Sequence, residues 1–198
     1  MNALLRDFAT VRTGLVIARK KARLDSLNSI IYEQIGLRCF NIGILLDKTQ
    51  TDKFTSSMTI NDKYLTQEGD VVVRLRSPST AVYIDKDDEG LLITSLLAVI
   101  RVDNFKLDAR YLAYYINSFF SQRQLQRETK GTAIPMLKTK DLENLQLSLP
   151  SLEKQRKVVD YLDLAQREQQ LLRTLAEEKE RLSQAVLGTI IQQNKEDI

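Results

Sequence analysis

The chain has 198 residues, of which 43% are hydrophobic and 28% are charged, a composition typical of a folded globular protein and not of a disordered one. It contains no histidine and a single cysteine, so the usual zinc clusters and any catalytic triad that needs a histidine are excluded. The formal net charge of +3 comes from residues 1–150, where 21 Lys and Arg face 17 Asp and Glu, whereas residues 151–198 contain 8 against 9.

This charge distribution predicts that a polyanion would meet the N-terminal part of the chain. The lone cysteine, Cys39, cannot form an internal disulfide, which favours a reducing cytoplasm. No apolar run is long enough to cross a bilayer, and the N-terminus lacks the basic start and apolar centre of a secretory signal. Neither of the glycine-rich nucleotide-binding patterns is present, so we expect no cofactor.

The N-terminal third opens with a short amphipathic stretch over residues 2–12. A basic run follows, and its cations either form a solvated helix face or contact phosphates, with the two alternatives evenly balanced. Residues 37–45 alternate in a way that predicts a strand holding a buried Cys39. Residues 47–63 are rich in Thr, Ser and Lys, which predicts an exposed loop.

The middle of the chain predicts strands followed by a helix. The Gly69-Asp70 turn leads into strands at 71–75 and 81–84, separated by a polar loop, and an acidic turn at 85–90 precedes one or two buried strands at 91–102. A helix is expected over 108–128, and a last strand over 145–149. The helix is predicted to face the core with its aromatic and aliphatic side, namely Tyr111, Leu112, Tyr114, Tyr115, Ile116, Phe119 and Phe120.

The last quarter predicts one long helix from Ser151 to about Gln193, because it contains no proline and a single glycine and Ser151 can cap its first turn. Roughly 40 helical residues span about 60 Å, more than the width of a small domain. The helix could pack on its own domain, but its length favours pairing with another long helix, in a direction that the pattern leaves open. The predicted dimerisation residues form its apolar rows: Val158, Leu162, Ala165, Leu172, Leu175, Ala176, Leu182, Val186 and Ile190.

We therefore expect an α+β fold with a mixed or antiparallel sheet over residues 1–150, followed by a coiled-coil spacer helix over 151–198. The order of signals resembles the specificity subunit (HsdS) of type I restriction-modification systems. The resemblance is carried by the strand that follows Gly69-Asp70, the segment 107–120, the Gly131-to-Leu137 segment, and residues 147–155 that lead into the helix.

This resemblance implies a target recognition domain that reads DNA sequence and a helix that serves as spacer and as docking post for methyltransferase and restriction subunits. Full subunits of the family carry two recognition domains and two antiparallel helices. The present chain has one of each, so it resembles a half subunit. Two copies paired helix to helix in antiparallel fashion would restore the twofold arrangement and face a two-part, palindromic target.

On this interpretation the chain binds DNA and catalyses nothing. The candidate phosphate contacts are Arg12, Arg19, Lys20, Lys21 and Arg23. The candidate base contacts are Arg38, Asn41, Arg74, Arg76, Ser77 and Thr80, since arginine pairs with guanine and asparagine with adenine in the major groove. Lys130 and Thr132 are candidates for clamping the DNA backbone.

Two other functions remain open at this stage. A metal-dependent nuclease could use Asp108 and Glu128 as carboxylate ligands, although Glu128 falls at the end of a predicted helix and not on a strand. A coiled-coil scaffold without DNA affinity is the other alternative, and the basic N-terminal part argues mildly against it.

Overall fold

The computed structural model describes residues 2–20, 29–40, 43–128 and 136–196. The chain divides into two compact units, Met1–Val159 and Asp160–Ile198. Five of the candidate DNA-binding residues lie outside the described residues: Lys21, Arg23, Asn41, Lys130 and Thr132.

The first unit combines short strands and helices, as the α+β prediction requires. Its strands are β1 (Asn2–Leu4), β2 (Ala9–Thr13), β3 (Ile30–Gln34), β4 (Asp52–Ser56), β5 (Val71–Arg74), β6 (Ala81–Tyr83), β7 (Leu97–Val102) and β8 (Gln146–Ser148). Its helices are α1 (Ala109–Asn117), α2 (Phe119–Glu128) and α3 (Thr139–Glu143), and α4 (Leu152–Glu196) begins in this unit.

The central sheet has the order β2-β7-β5-β6, and all of its neighbouring strands are antiparallel. Two smaller antiparallel pairs, β1-β8 and β3-β4, accompany it. The β1-β8 pair joins the start of the chain to the strand that precedes α4. β1 and β8 therefore lie side by side within the first unit.

Both faces of the central sheet are covered, which explains why three consecutive valines of β5 are buried. Val71 and Val73 pack with the buried side of α1, including Leu112 and Ile116. Val72 belongs to a second cluster on the opposite face. A strand buried on both faces reads as a continuous apolar run, not as an alternating one.

The prediction of a strand over residues 37–45 is wrong. The segment begins with a short 3-10 helix, Leu37–Cys39, and Gly43 has a φ of 88°, a conformation that ends any extended run. Leu45 makes one isolated bridge with Tyr83. The burial of Cys39 is confirmed, but inside the 3-10 helix, and that burial raises the pKa of its thiol.

The prediction of an exposed loop over residues 47–63 is also wrong, because β4 lies within it. The strand pairs with β3 in a register that sets Phe54 opposite Tyr32. Phe54 and Ser56 are buried while Lys53 and Thr55 are exposed. Because the exposed face of this half-buried strand is polar, the segment has the composition expected of a loop.

The predicted single helix over 108–128 is two helices with a break at Ser118. The Ser118 backbone is extended, with φ of −65° and ψ of 149°, and its hydroxyl accepts a hydrogen bond from the Ser121 amide at 3.3 Å. The break changes the helical phase, so Phe119 and Phe120 are 77% and 73% exposed and the prediction that they lie in the core is wrong. Leu125 and Ser121 form the buried side of α2 instead.

The long helix is confirmed as α4, whose 45 residues span about 67 Å at 1.5 Å per residue. It begins directly after Ser151, and its first turns are held in the first unit by the buried side chains of Gln155 and Val159. The Gln155 amide group accepts from the Asp108 amide at 2.9 Å and donates to the carbonyls of Lys106 and Pro150. No helix among the described residues could cross a membrane.

Candidate DNA interface

The turn between β5 and β6, residues 74–80, brings four of the candidate base-reading residues together. We name it the recognition turn. The Arg74 amide donates to the Thr80 carbonyl at 2.9 Å, which closes the turn. Arg76 and Ser77 are exposed at its tip.

The chain that follows the candidate backbone clamp, Lys130 and Thr132, returns to this same turn. Met136 bridges Arg76 in antiparallel fashion, and the Leu137 amide donates to the Leu75 carbonyl at 2.8 Å. Lys130 and Thr132 themselves lie outside the described residues. The described contacts of this returning segment with the recognition turn are those of Met136 and Leu137.

Arg74 lies over the ring of Phe40, with 5.9 Å between the guanidinium carbon and the ring centroid. Its Nε is buried and finds no hydrogen-bond partner among the described residues, and the same holds for Oγ1 of Thr80. A guanidinium restrained by contact with an aromatic ring has fewer rotamers to lose when it pairs with a base edge. Phe40, which the sequence did not single out, is thus a support for the candidate reader.

Arg38 belongs to the 3-10 helix that precedes Phe40, and it forms an ion pair with Asp52 at 2.9 Å. Both side chains are largely exposed, so the pair is weak and a phosphate or base could replace the carboxylate. Arg38 therefore lies near the Phe40 support but is engaged elsewhere in the free protein.

Two amide side chains, one on α1 and one on α2, form hydrogen bonds with the end of the recognition turn and the first residue of β6. Asn117, the last residue of α1, accepts from the Ala81 amide at 2.7 Å and donates to the Ala81 carbonyl at 2.8 Å. Gln122 of α2 donates to the Ser79 carbonyl at 3.0 Å. Sequence reasoning missed both, since an amide near a helix break carries no signal of its distant partner.

The candidate phosphate contacts are less concentrated. Arg12 is exposed on the edge strand β2, in the row of Val99 and Val72, which places it on the same sheet face as Arg74 with β7 between them. Lys20 follows the 3-10 helix Ile17–Arg19, and its Nζ lies 2.8 Å from the sulfur of Met58. Arg12 therefore shares a sheet face with Arg74, whereas no contact among the described residues links Lys20 to the recognition turn.

The start of β5 is fixed by a buried ion pair. Gly69 has a φ of 86°, the left-handed conformation that makes the turn before Asp70 favour glycine. Asp70 forms an ion pair with Arg101 of β7 at 2.8 Å, and the Asp70 side chain is only 3% exposed. Burial raises the pKa of Asp70 more strongly than the hydrogen bonds from Arg101 and the Gln67 amide lower it.

Of the two carboxylates of the nuclease alternative, Asp108 has a structural role and Glu128 is exposed at a helix end. Asp108 caps α1 by accepting from the Tyr111 amide at 3.0 Å, and Glu128 is the last residue of α2. Among the described residues, no group of three or more Asp, Glu, Cys or His could hold a metal ion.

In the second unit, α4 exposes large apolar side chains along its length: Leu164, Leu171, Leu172, Leu175, Leu182, Val186 and Leu187. Of the predicted dimerisation residues, Leu172, Leu175, Leu182 and Val186 are at least half exposed, whereas Leu162 and Ala165 are partly buried. The side chain of Ile190 lies outside the described part. Leu164, Leu171, Leu172 and Leu175 line a shallow apolar depression of about 340 Å³.

Comparison of the sequence with protein families gives a match to the family described as type I restriction modification DNA specificity domain, over residues 5–181. The chain belongs to this family. The match covers both the recognition turn and most of α4. A search of curated protein sequences gives no match.

Solved structures with the same fold are specificity subunits of such systems. The HsdS subunit from Thermoanaerobacter tengcongensis has a TM-score of 0.67 at 17% identity, over 90% of this chain and 45% of that chain. The type I restriction-modification system S subunit from M. genitalium has a TM-score of 0.53 at 14% identity, over 83% and 38%.

A third structure, reported for the assembly and conformational transition of a type I restriction-modification system, has a TM-score of 0.61 at 22% identity, over 93% and 43%. The chain thus spans less than half the length of each of these proteins. At these identities the likeness shows a shared fold, the α+β specificity-domain fold with its long helix.

Proposed function

We propose that this DNA specificity domain reads one half of a two-part DNA target and directs methyltransferase and restriction subunits to it, without catalysing a reaction itself. The observation that carries the proposal is the recognition turn in a chain of this family. Its arginine lies on an aromatic support, and its backbone is held by side chains of two helices. Rigid support of this kind is what base-edge recognition requires.

The proposed division of labour follows residue type and, for four of the residues, their place in the recognition turn. Arg74, Arg76, Ser77 and Thr80 read base edges from the recognition turn, with Arg38 and Asn41 on the neighbouring segment. Arg12, Arg19, Lys20, Lys21 and Arg23 contact phosphates, and Lys130 and Thr132 clamp the DNA backbone.

The proposed assembly is a homodimer in the cytoplasm, formed through α4. Exposed leucines in water cost free energy, and a second long helix would cover them. Two copies related by a twofold axis would present two identical recognition turns, and the target would then be palindromic with a central spacer. The remaining surface of the helices would be available to methyltransferase subunits.

The test is selection of bound duplexes from a random DNA pool, followed by sequencing. The expected outcome is two identical half-sites in inverted orientation, separated by a fixed spacer. The control is the quadruple variant with Arg74, Arg76, Ser77 and Thr80 replaced by alanine, which should select no motif. Equal enrichment of all sequences by the unaltered protein would reject specific recognition, and absence of any binding at moderate salt would favour the scaffold alternative.

A further inference from the structure

The outward side of α2 carries two phenylalanines and two arginines. Phe119, Arg123 and Arg127 recur every four residues, which places them on one side of the helix, opposite the buried Leu125. Phe120 flanks this row. The two rings are 77% and 73% exposed, and both arginines are exposed as well. We name these four residues the α2 surface. Single exposed apolar side chains are ordinary on a protein, but two neighbouring phenylalanines place a larger apolar area in water.

The α2 surface forms part of a depression that the fold holds in place. The depression has a volume of about 360 Å³ and is lined by all four residues of the α2 surface and by Gln146 of β8. The Gln146 carbonyl accepts a hydrogen bond from the Tyr115 hydroxyl at 3.0 Å, which ties this part of β8 to α1. Gln122 ties α2 to α1 by donating to the Ile116 carbonyl at 2.8 Å. A ligand would therefore meet elements that are already fixed, and its binding would cost little ordering of the backbone.

The positive charge of the α2 surface exceeds the negative charge around it. Among the described residues, no ion pair involves Arg123 or Arg127. The Arg123 guanidinium carbon lies 5.5 Å from the centroid of the Phe119 ring, so the cation lies beside the apolar group. Glu128 is the only carboxylate among the described residues that line the depression. A ligand that fits this surface carries carboxylates next to apolar side chains.

We propose that the α2 surface binds a protein partner through a segment that combines acidic with apolar side chains. Phenylalanine and arginine are enriched in protein–protein interfaces and lysine is depleted there, and the described residues that line the depression include no lysine. A surface that binds nucleic acid gains affinity from several cations that neutralise phosphates, whereas here Glu128 would lie against the phosphates. The inference goes beyond DNA recognition by this chain and does not depend on it.

The experiment selects peptides on the full chain from a phage-displayed library of random linear sequences. The library is first depleted on the variant Phe119→Ala/Phe120→Ala, which should fold because both rings are exposed. Circular dichroism checks that its helix content is retained. Enriched peptides are synthesised with a fluorescent label and titrated by anisotropy.

The matched control is the variant Phe105→Ala/Arg156→Gln. It removes one phenylalanine that is 90% exposed and one exposed arginine, both from elements other than α2. A third variant, Arg123→Glu/Arg127→Glu, reverses the charge of the α2 surface and keeps both rings.

The expected peptides carry aspartate or glutamate beside leucine, isoleucine or an aromatic residue. Their affinity should fall by about tenfold or more in Phe119→Ala/Phe120→Ala and in Arg123→Glu/Arg127→Glu, as on truncation of an interface anchor, and should not change in the control. The charge-reversed variant should in turn prefer the same peptides with lysine in place of each acidic residue.

Two results would overturn the proposal. One is the absence of any peptide that distinguishes the unaltered chain from Phe119→Ala/Phe120→Ala, or the enrichment of peptides without acidic residues. The other is a loss of affinity for a random duplex or a single DNA strand in that variant, without any peptide that depends on the α2 surface. That second result would assign the α2 surface to nucleic acid.

Discussion

At the scale of single residues, Arg74 is the candidate base-reading side chain that contacts an aromatic ring. Its guanidinium lies on Phe40, and replacement by glutamine removes both the charge and the planar fork. If Arg74 contacts guanine through two hydrogen bonds, Arg74→Gln should weaken specific binding by about 1–3 kcal/mol and relax one position of the half-site.

A titration of the selected duplex by Arg74→Gln, measured by fluorescence anisotropy at several salt concentrations, checks this. Arg12→Gln is the matched control, because a phosphate contact should lower affinity for all sequences alike and reduce the salt dependence. Unchanged discrimination between the target and a single-base variant in Arg74→Gln would assign the arginine a structural role only.

The Asp70–Arg101 pair makes a second prediction at this scale. Arg101→Met would leave the buried Asp70 carboxylate without its cationic partner, and the unfolding free energy should fall by about 3 kcal/mol at neutral pH. Urea denaturation measures it. Lys157→Met is the control, since the Lys157–Glu153 pair is exposed on both sides and its loss should change stability little.

The loss of unfolding free energy caused by Arg101→Met should depend on pH. Because burial raises the pKa of Asp70, the folded protein holds its proton more readily than the unfolded chain does. Asp70 therefore contributes stability that is fully present below its ordinary pKa and is lost as the pH rises through the raised pKa. Removal of Arg101 raises that pKa further, so the cost of Arg101→Met should shrink as the pH is lowered from neutral.

At the scale of elements, the break between α1 and α2 connects the helices to the recognition turn. Asn117→Ala removes two hydrogen bonds to the backbone of Ala81 and should lower the unfolding free energy by about 1–3 kcal/mol. If the turn reads DNA, the variant should also lose affinity for the selected duplex more than for random DNA. Asn144→Ala, which removes one exposed hydrogen bond to Arg6, is the matched control in both assays.

The change of phase at Ser118 makes a separate stability prediction. Leu125→Ala should cost about 2–5 kcal/mol because the side chain is buried, whereas Phe119→Ala should change the unfolding free energy by less than about 0.5 kcal/mol. Thermal or urea unfolding of the two variants gives the comparison. A large loss of stability in Phe119→Ala would contradict its exposed position.

These elements also show what the sequence could and could not predict. A turn followed by a continuous β-branched run located β5, an alternating run located β8, and a long segment without proline located α4. Such patterns failed where a local turn interrupts them: Ser118 restarts a helix in a new phase, and Gly43 interrupts an apparent strand. The arginines of the recognition turn were found by residue type, but Phe40, Asn117 and Gln122 act across 34 or more positions of sequence, where no local signal exists.

At the scale of the whole molecule, the proposed dimer would join two recognition domains, and the pair would bind DNA more tightly than either domain alone. A half-site bound by one copy raises the local concentration of the second reader near the other half-site, so the two-part target should be held more tightly than a single half-site. Leu175→Glu places a carboxylate among the exposed leucines of α4, between Leu171 and Leu182, and should convert the dimer into a monomer.

That variant should bind a single half-site as the unaltered protein does, but should lose the preference for the palindromic target over a single half-site. Light scattering and anisotropy on the two duplexes measure these outcomes. Leu187→Glu is the matched control, because Leu187 is similarly exposed but lies about 120° around the helix from Leu175, and it should leave both the dimer and the preference intact. If Leu175→Glu keeps its preference for the palindrome, the two readers must be joined by some surface other than α4.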